Sequence, residues 1–325
     1  MWIINRLPPL KSLQAFDAAA RHLSFKMAAE ELHVTPTAIS HQVKLLEEFM
    51  QQKLFNRLVR SLSLTKAGET YAPLVRKGFS YLELASEEVS DATATGELSV
   101  TTTTSFATKW LMPRLSRFRQ RHPGIVVKVS GSDETVDFTR HNFDLAIRYG
   151  FGDYADLSTV WVLSDKAAVV CSPPLLAGTS PDDDAAAVSR GPLIHYEWSG
   201  FTKRDPNWST WFEEAGLGGA HLPTNAVYSD EHMCIQAAID GNGFALVGLI
   251  AAADDIVQGR LVLASSIRLP NKNYYLICPE TRSGNPRVAV FREWLLEEAD
   301  IFRDSPAGEL IENQTVPSGI RSPDA

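Results

Sequence analysis

Phe25-Lys26-Met27-Ala28-Ala29-Glu30-Glu31-Leu32-His33-Val34-Thr35-Pro36-Thr37-Ala38-Ile39-Ser40-His41-Gln42-Val43-Lys44 decides how the first part of this chain folds. Phe25, Ala28, Ala29 and Leu32 recur at i, i+3, i+4 and i+7, one face of a short helix, and Ser24 is a good N-cap for it. The alanines matter because two helices cross closely only where the side chains between them are small. His33-Val34 breaks the rhythm and Thr35-Pro36 restarts it. Threonine caps, and proline suits the first helical position, where its missing N–H costs nothing. The second helix turns Ile39, Val43, Leu46 and Met50 inward. Its other face carries Thr37, Ser40, His41, Gln42 and Lys44, with no acid until Glu47. Such a face can read base edges in a major groove. It is equally what the solvated side of any small helix looks like.

Outward from this pair, Leu10, Leu13, Phe16 and Ala20 follow Pro8-Pro9 at helical spacing. On the other side, Leu54 to Thr65 alternates loosely and places Arg57 and Arg60 on an expected hairpin tip. Arginines projecting from a wing suit phosphates or a narrow minor groove. Thr65 caps a further helix, with Gly68 just inside it. Along that helix Ala72, Val75, Phe79, Leu82 and Val89 are spaced 3, 4, 3 and 7, with Ser86 in the skipped slot and Pro73 as the one proline. This heptad seam fits pairing with a second helix, or packing of the helix on its own domain. Ala92 to Gly96 is small, polar and unpatterned, as a hinge would be.

The chain has 325 residues, enough for two or three domains, with 44% hydrophobic and 22% charged residues, which permits a sizeable core. Its net charge of −8 hides an asymmetry. Residues 1–66 carry nine Lys/Arg against five Asp/Glu, whereas the remainder carries 22 against 34. A basic head on an acidic body fits nucleic-acid contact confined to the N-terminus. No apolar run approaches a membrane span, and Met1 to Arg6 lacks the pattern of a secretory signal, so a cytoplasmic protein without membrane contact is expected. Cys171, Cys234 and Cys278 lie far apart and read as buried thiols, with a redox-sensing pair as the alternative. No metal-ligand spacing, phosphate-binding loop or nucleophile elbow is present, so no enzyme, cofactor or metal is expected.

Several stretches together resemble the N-terminal signature of LysR-type transcriptional regulators. They are Leu13-Phe16, Phe25 to Leu32, Val34-Thr35-Pro36-Thr37-Ala38-Ile39-Ser40, Leu46-Glu47, Leu54-Phe55-Asn56-Arg57 and Leu64-Thr65-Lys66-Ala67-Gly68. The opening stretch from Leu7 to Phe25 is similar to the subgroup of glycine-cleavage activators and β-lactamase regulators. Gln51 and Lys53 depart from the pattern, where Gly and often Pro or Leu are common. The resemblance implies an all-α winged helix-turn-helix over residues 1–66 and a linker helix over 67–92 that pairs between subunits of a homodimer or homotetramer. Double-stranded DNA is then the expected partner, contacted by Ser24, Phe25, Thr35, Pro36, Thr37, Ser40, His41, Lys44, Arg57 and Arg60, with RNA polymerase as a further partner.

After Gly96 short strands alternate with helices, which predicts an α/β domain. Strand candidates include Leu98–Thr103, Ile125–Val129, Phe143–Arg148, Ala167–Cys171, Leu193–Tyr196, Ala226–Tyr228, Phe244–Val247 and Tyr274–Cys278. Their order resembles the two-lobed, periplasmic-binding-protein-like effector domain of the same family. That implies an effector domain over 93–303, with lobe I at 93–160 and 268–303 and lobe II at 161–267, crossed by strands near Thr159–Val162 and Ser265–Ile267. Residues 304–325 are polar and aperiodic and read as a disordered tail.

Ligands in such folds sit beyond strand ends and at helix starts, so an anionic or amino-acid-like small-molecule effector is expected there. Thr101, Thr102, Thr103 and Ser105 offer hydroxyls and free N–H groups. Arg148 ends an apolar strand and suits an anionic group, or an internal salt bridge with Asp133 or Asp144. Tyr196 with Trp198 and Phe201, Ser229 and Phe244 follow or begin other cleft-side strands. Asp182-Asp183-Asp184 reads as a solvated loop.

Overall fold

The computed structural model describes residues 7–57, 62–89, 95–138, 141–178, 184–197, 202, 205–218 and 224–311. Two compact units emerge: Met1–Ala92 with Asp137–Asn142, and Thr93–Val136 with Phe143–Ala325.

In the first unit, α1 (Leu10–His22), α2 (Phe25–Glu31) and α3 (Pro36–Met50) precede a hairpin of β1 (Phe55–Arg57) and β2 (Leu62–Leu64) and a long helix α4 (Lys66–Val89). The caps form as the residue types dictate. Ser24 Oγ accepts the Met27 N–H at 3.3 Å, and Thr35 Oγ1 accepts that of Ala38 at 3.2 Å. The chain turns out of the three short helices through left-handed residues, Leu23, His33 and Gln51, at φ 47°, 54° and 52°. Gln51 therefore makes the turn that a glycine would make without strain; an L-residue there costs roughly 1–2 kcal/mol. Its side-chain amide recovers part of this by donating to the Glu48 carbonyl at 2.7 Å.

Phe16, Ala19, Ala28, Ile39, Val43, Leu46 and Leu54 close the core of this unit. Phe55 sits between Phe16 and Phe25, with both ring pairs at 5.6 Å. Gly68 fits because of what lies above it: a Cβ there would come within 2.2 Å of the Leu54 carbonyl oxygen. Ala72, Val75 and Phe79 of α4 pack on the same core, and Arg76 reaches Asp17 of α1 at 3.1 Å. The first half of the expected pairing seam is thus spent within its own unit. Leu74 and Tyr81 stay 63% and 51% exposed on another side of α4.

The second unit runs β3 (Gly96–Thr102), α5 (Thr104–Phe106), a π-helical turn (Ala107–Leu111), α6 (Met112–Arg121), β4 (Ile125–Gly131), β5 (Leu145–Gly150) and β6 (Leu157–Cys171). It continues with α7 (Asp184–Arg190), β7 (Leu193–Tyr196), α8 (Trp208–Glu214), β8 (Thr224–Tyr228), α9 (Glu231–Ile239), β9 (Phe244–Gly248) and α10 (Leu249–Val257). β10 (Val262–Leu263), β11 (Leu269–Pro279), α11 (Pro286–Arg303) and α12 (Pro306–Glu309) complete it. The strands form one curled mixed sheet in the order β4-β3-β5-β11-β6-β9-β7-β8, with β10 on β6. β3, β4 and β5 are parallel on one side, and β9, β7 and β8 on the other. Between them run β6 and β11, antiparallel and paired from Leu157–Pro279 to Ala167–Leu269.

Each half buries its own core. Leu98, Phe106, Trp110, Phe118, Phe291 and Trp294 fill the first. Val169, Trp208, Trp211, Phe212 and Phe244 lie on one side of the second, with Cys234, Ile235, Val247 and Ala251 in a separate cluster.

Three expectations are corrected. Thr159–Val162 and Ala167–Cys171 belong to one strand, β6, because its pairing with β11 runs on from Leu157 to Ala167. Ser265–Ile267 is not a strand; the return crossing is made by the start of β11. Residues 304–311 are not disordered: Ser305 caps α12 by accepting the Gly308 N–H at 3.3 Å, and Ala307 and Ile311 are buried on the first core. The remainder of the expected tail, like Trp198, Phe201, Asp182 and Asp183, lies outside the described residues.

Candidate nucleic-acid interface and ligand cavity

On α3 the apolar underside is as expected, with Ile39, Val43 and Leu46 buried. Thr37, His41 and Lys44 are exposed on the opposite face, and Ser40 is half-buried. Lys44 makes only a solvated contact with Glu48 at 3.5 Å. Gln42 does not share that face, because its side-chain oxygen accepts the Ser12 hydroxyl at 2.7 Å and ties α3 to α1. Ser24, Thr35 and Pro36 stand at the starts of α2 and α3, whereas Phe25 is committed to the ring cluster with Phe55. Arg57 closes β1 opposite Leu62, and Arg60 lies outside the described residues.

Glu47 has a role that spacing alone did not reveal. Buried beneath the wing, its carboxylate accepts the N–H groups of Leu54 and Phe55 at 2.9 and 3.2 Å and the Lys53 ammonium at 2.9 Å. Burial pushes this carboxyl up, but the Lys53 bond and the two N–H bonds outweigh it and hold it below its ordinary range. Glu47 fixes where the hairpin leaves α3.

In the second unit a cavity of about 510 Å³ opens between the two halves of the sheet. Of the residues singled out for an effector, Thr103, Ser105, Arg148 and Tyr196 line it. Thr101, Thr102, Ser229 and Phe244 do not. Thr101 lies behind the wall, where its Oγ1 accepts Arg148 Nη2 at 2.8 Å, and Thr102 is buried in β3. Ser229 is exposed. Phe244 fits against Gly191, where a Cβ would come within 2.2 Å of its ring, and so belongs to the core.

Asp133, Tyr149, Tyr154, Asp205, Glu231, Asn271 and Tyr274 line the cavity without having been foreseen, beside apolar Leu157, Leu246 and Ile277. Glu231 opens α9 just after its N-cap, Asp230, two positions beyond Ser229.

Arg148 is 8% exposed. It donates Nη1 to the Ser132 carbonyl at 2.6 Å and Nη2 to Thr101, while its buried Nε has no partner among the described residues. Neither expected salt bridge forms: Asp144 pairs with Arg282 at 3.1 Å, and Asp133 is outside ion-pair range. Burial lowers the guanidinium pKa, and the negative charge of Asp133 raises it.

The carboxyls around it carry strain of the opposite sign. Burial and the charge of Asp230 raise Asp133 against the Thr104 N–H and Arg148. Burial pushes Glu231 up to about 7 despite hydrogen bonds from the Gly248 N–H, at 2.7 Å, and Ser105. Behind it Asp165, fully buried and facing Glu231, is pushed up to about 8 by burial and that neighbour's charge. The N–H groups of Ile250 and Lys166 and the Asn271 amide hold Asp165 at 3.0, 2.9 and 3.0 Å. Asn271 in turn receives the Tyr149 hydroxyl.

All three cysteines are buried, and none forms a disulfide. Burial pushes Cys234 up to about 12 and Cys278 up to about 11, so both are poor thiolate nucleophiles. Among the described residues no His/Cys/Asp/Glu group could hold a metal, and no helix is long and apolar enough to cross a membrane.

Known proteins match over both units. Residues 10–69 match the bacterial regulatory helix-turn-helix protein of the lysR family, and residues 91–300 the LysR substrate binding domain. The glycine cleavage system transcriptional activator of Escherichia coli K12 is 40% identical over 91% of this chain and 95% of its own length. The HTH-type transcriptional activator AmpR of Pseudomonas aeruginosa is 33% identical over 90% and 96%. The effector domain of AmpR from the same organism superposes with a TM-score of 0.54 at 26% identity, covering 66% of this chain and all of that one. The chain therefore belongs to the LysR family of transcriptional regulators, a helix-turn-helix followed by that family's effector-binding domain.

Proposed function

We propose that α3 enters the major groove of operator DNA with Thr37, Ser40, His41 and Lys44 toward the bases and backbone. The starts of α2 and α3, and the wing bearing Arg57 and Arg60, lie along the phosphates. The DNA-reading part spans 1–66 and the linker 67–92, with an effector-binding part at 93–303 in two lobes, 93–160 with 268–303, and 161–267. The chain acts in the cytoplasm as a homodimer or homotetramer, regulates by changing access of RNA polymerase, and catalyses no reaction. Leu74 and Tyr81, apolar and exposed on α4, support pairing through that helix.

A small molecule carrying an anionic group occupies the cavity and switches the regulator. The observation that carries this reading is Arg148, a buried guanidinium on the cavity wall without an ion-pair partner among the described residues. Leaving such a charge unpaired is costly, and an anion delivered by a ligand removes the cost. The switch draws its energy from the difference in ligand affinity between two assemblies.

The full-length chain is expected to prefer its own promoter region over random duplex at moderate salt, read by fluorescence anisotropy. Arg57→Ala should weaken binding and reduce the slope of log K against log salt by about 1. Equal affinity for promoter and random duplex overturns the DNA reading, and an unchanged salt slope overturns the wing assignment.

A further inference from the structure

The cavity wall carries more acid than base, with Asp133, Glu134, Asp205 and Glu231 beside Arg148. Asp205 is paired with Lys272. Asp133 and Glu231 also line the space, and neither has a cation within ion-pair distance among the described residues. Asp165 stands directly behind Glu231: a Cβ on Gly248 would lie 2.3 Å from Asp165 Oδ2 and 3.2 Å from Glu231 Oε1. Carboxyls gathered in a partly desolvated space without a counter-charge are as costly as the lone guanidinium of Arg148 on the same wall. One cavity thus holds an unfilled cationic pole and an unfilled anionic pole.

We infer that Asp133 and Glu231 form a subsite for a protonated amine of the ligand whose anionic group Arg148 receives. This rests on the reading that the cavity holds the effector, and adds the second pole of that molecule. An ammonium has three donors and no acceptor. The two carboxylates supply acceptors, and the hydroxyls of Thr103 or Tyr196, also on the wall, supply the third. Asp133 follows β4 in one half of the domain and Glu231 opens α9 in the other. One ammonium between them ties the halves together, which gives the ligand different affinities for open and closed forms.

Filling the subsite also moves a proton. The groups facing Glu231 are Ser105 and the Gly248 N–H, which favour its charged form, and Asp133, Asp165, Asp230, Tyr196 and Tyr274, which do not. With Glu231 pushed up to about 7 by burial, part of the population is protonated at neutral pH before an amine binds. The arriving ammonium stabilises the carboxylate, and the carboxyl proton leaves to solvent. Affinity for the amine should therefore rise between pH 6 and pH 8, until the amine itself deprotonates.

The test is calorimetric titration of the full-length chain with the twenty standard amino acids and dialanine, each beside its N-acetyl form. The expected result is that at least one free amine binds and that N-acetylation weakens it tenfold or more. Its binding heat should differ between phosphate and Tris at pH 7 because a proton is released. Glu231→Gln should abolish that buffer dependence and weaken the amine, and Asp133→Asn should weaken it independently. Three outcomes overturn the subsite: an N-acetyl form binding as tightly as its free amine, both variants keeping full affinity, or no amine binding. If N-acetyl forms bind and Arg148→Leu abolishes that binding, the amine subsite fails while the effector cavity stands. If no compound binds in any form, both fail.

Discussion

The two units handle polar groups in opposite ways. In the N-terminal unit Thr37, His41 and Lys44 of α3 are exposed, and the buried acid Glu47 is fully engaged by two N–H groups and a lysine. In the C-terminal unit Arg148, Asp133, Glu231 and Asp165 are turned inward, and their partners are incomplete or absent among the described residues. A head built the first way holds its shape without help and waits for DNA. A domain built the second way is electrostatically unfinished until something enters it.

The sharpest way to break the first half of this contrast is at Gly68. Gly68→Ala drives a methyl group into the Leu54 carbonyl oxygen, a backbone atom that cannot rotate aside. A loss of about 3 kcal/mol, at the top of the overpacking range, is expected in the N-terminal unit. Far-UV circular dichroism should show an early helix-melting phase; an unshifted melt would mean that the wing does not rest on α4.

Acidity gives the next largest effect, with opposite signs in the two units. Glu231 and Asp165 hold protons in the folded state well above the pH at which they would ionise when unfolded. Unfolding then releases protons, so the stability of the C-terminal unit falls as pH rises from about 5 to 8, with a slope on the order of 1 kcal/mol per pH unit. Glu47 is held below its ordinary range. Its contribution is present above the unfolded value, near 4.5, and is lost as the pH falls through the lowered one. Six of the seven tryptophans lie from Trp110 onward. Tryptophan fluorescence melts therefore report the C-terminal unit, and a melting point that climbs between pH 6 and pH 8 would contradict the inward acids.

The smallest effect concerns Gln51. Gln51→Gly relieves a left-handed residue but loses the hydrogen bond to the Glu48 carbonyl and loosens the unfolded chain. A net gain of about 0.5 kcal/mol is expected in chemical denaturation; a net loss would show that the amide bond matters more than the backbone strain.

The same contrast explains what could be read from residues alone. Ser24, Thr35, Pro36 and the Ile39–Val43–Leu46 stripe act within one or two helical turns, so spacing exposes them. Glu47 escaped because its partners, Leu54 and Phe55, lie beyond a turn that spacing does not describe. The cavity is a harder case. Arg148 on β5, Asn271 on β11 and Glu231 on α9 meet only after β11 pairs with both β5 and β6. Strand-end reasoning located Thr103, Ser105, Arg148 and Tyr196. It named Ser229, whereas Glu231, on the other side of the Asp230 N-cap, is the residue that lines the cavity.

β6 and β11 cross the C-terminal unit as a continuous antiparallel ribbon, and the only irregularities in their pairing fall between Pro270 and Asn273 and between Tyr274 and Tyr275. A ribbon of this kind behaves as a leaf spring. It resists sliding, because every step would break ladder bonds, and yields by flexing where the bulges have already loosened it. Asn271 sits at that soft point, so a molecule gripped beside it presses where the spring bends most readily.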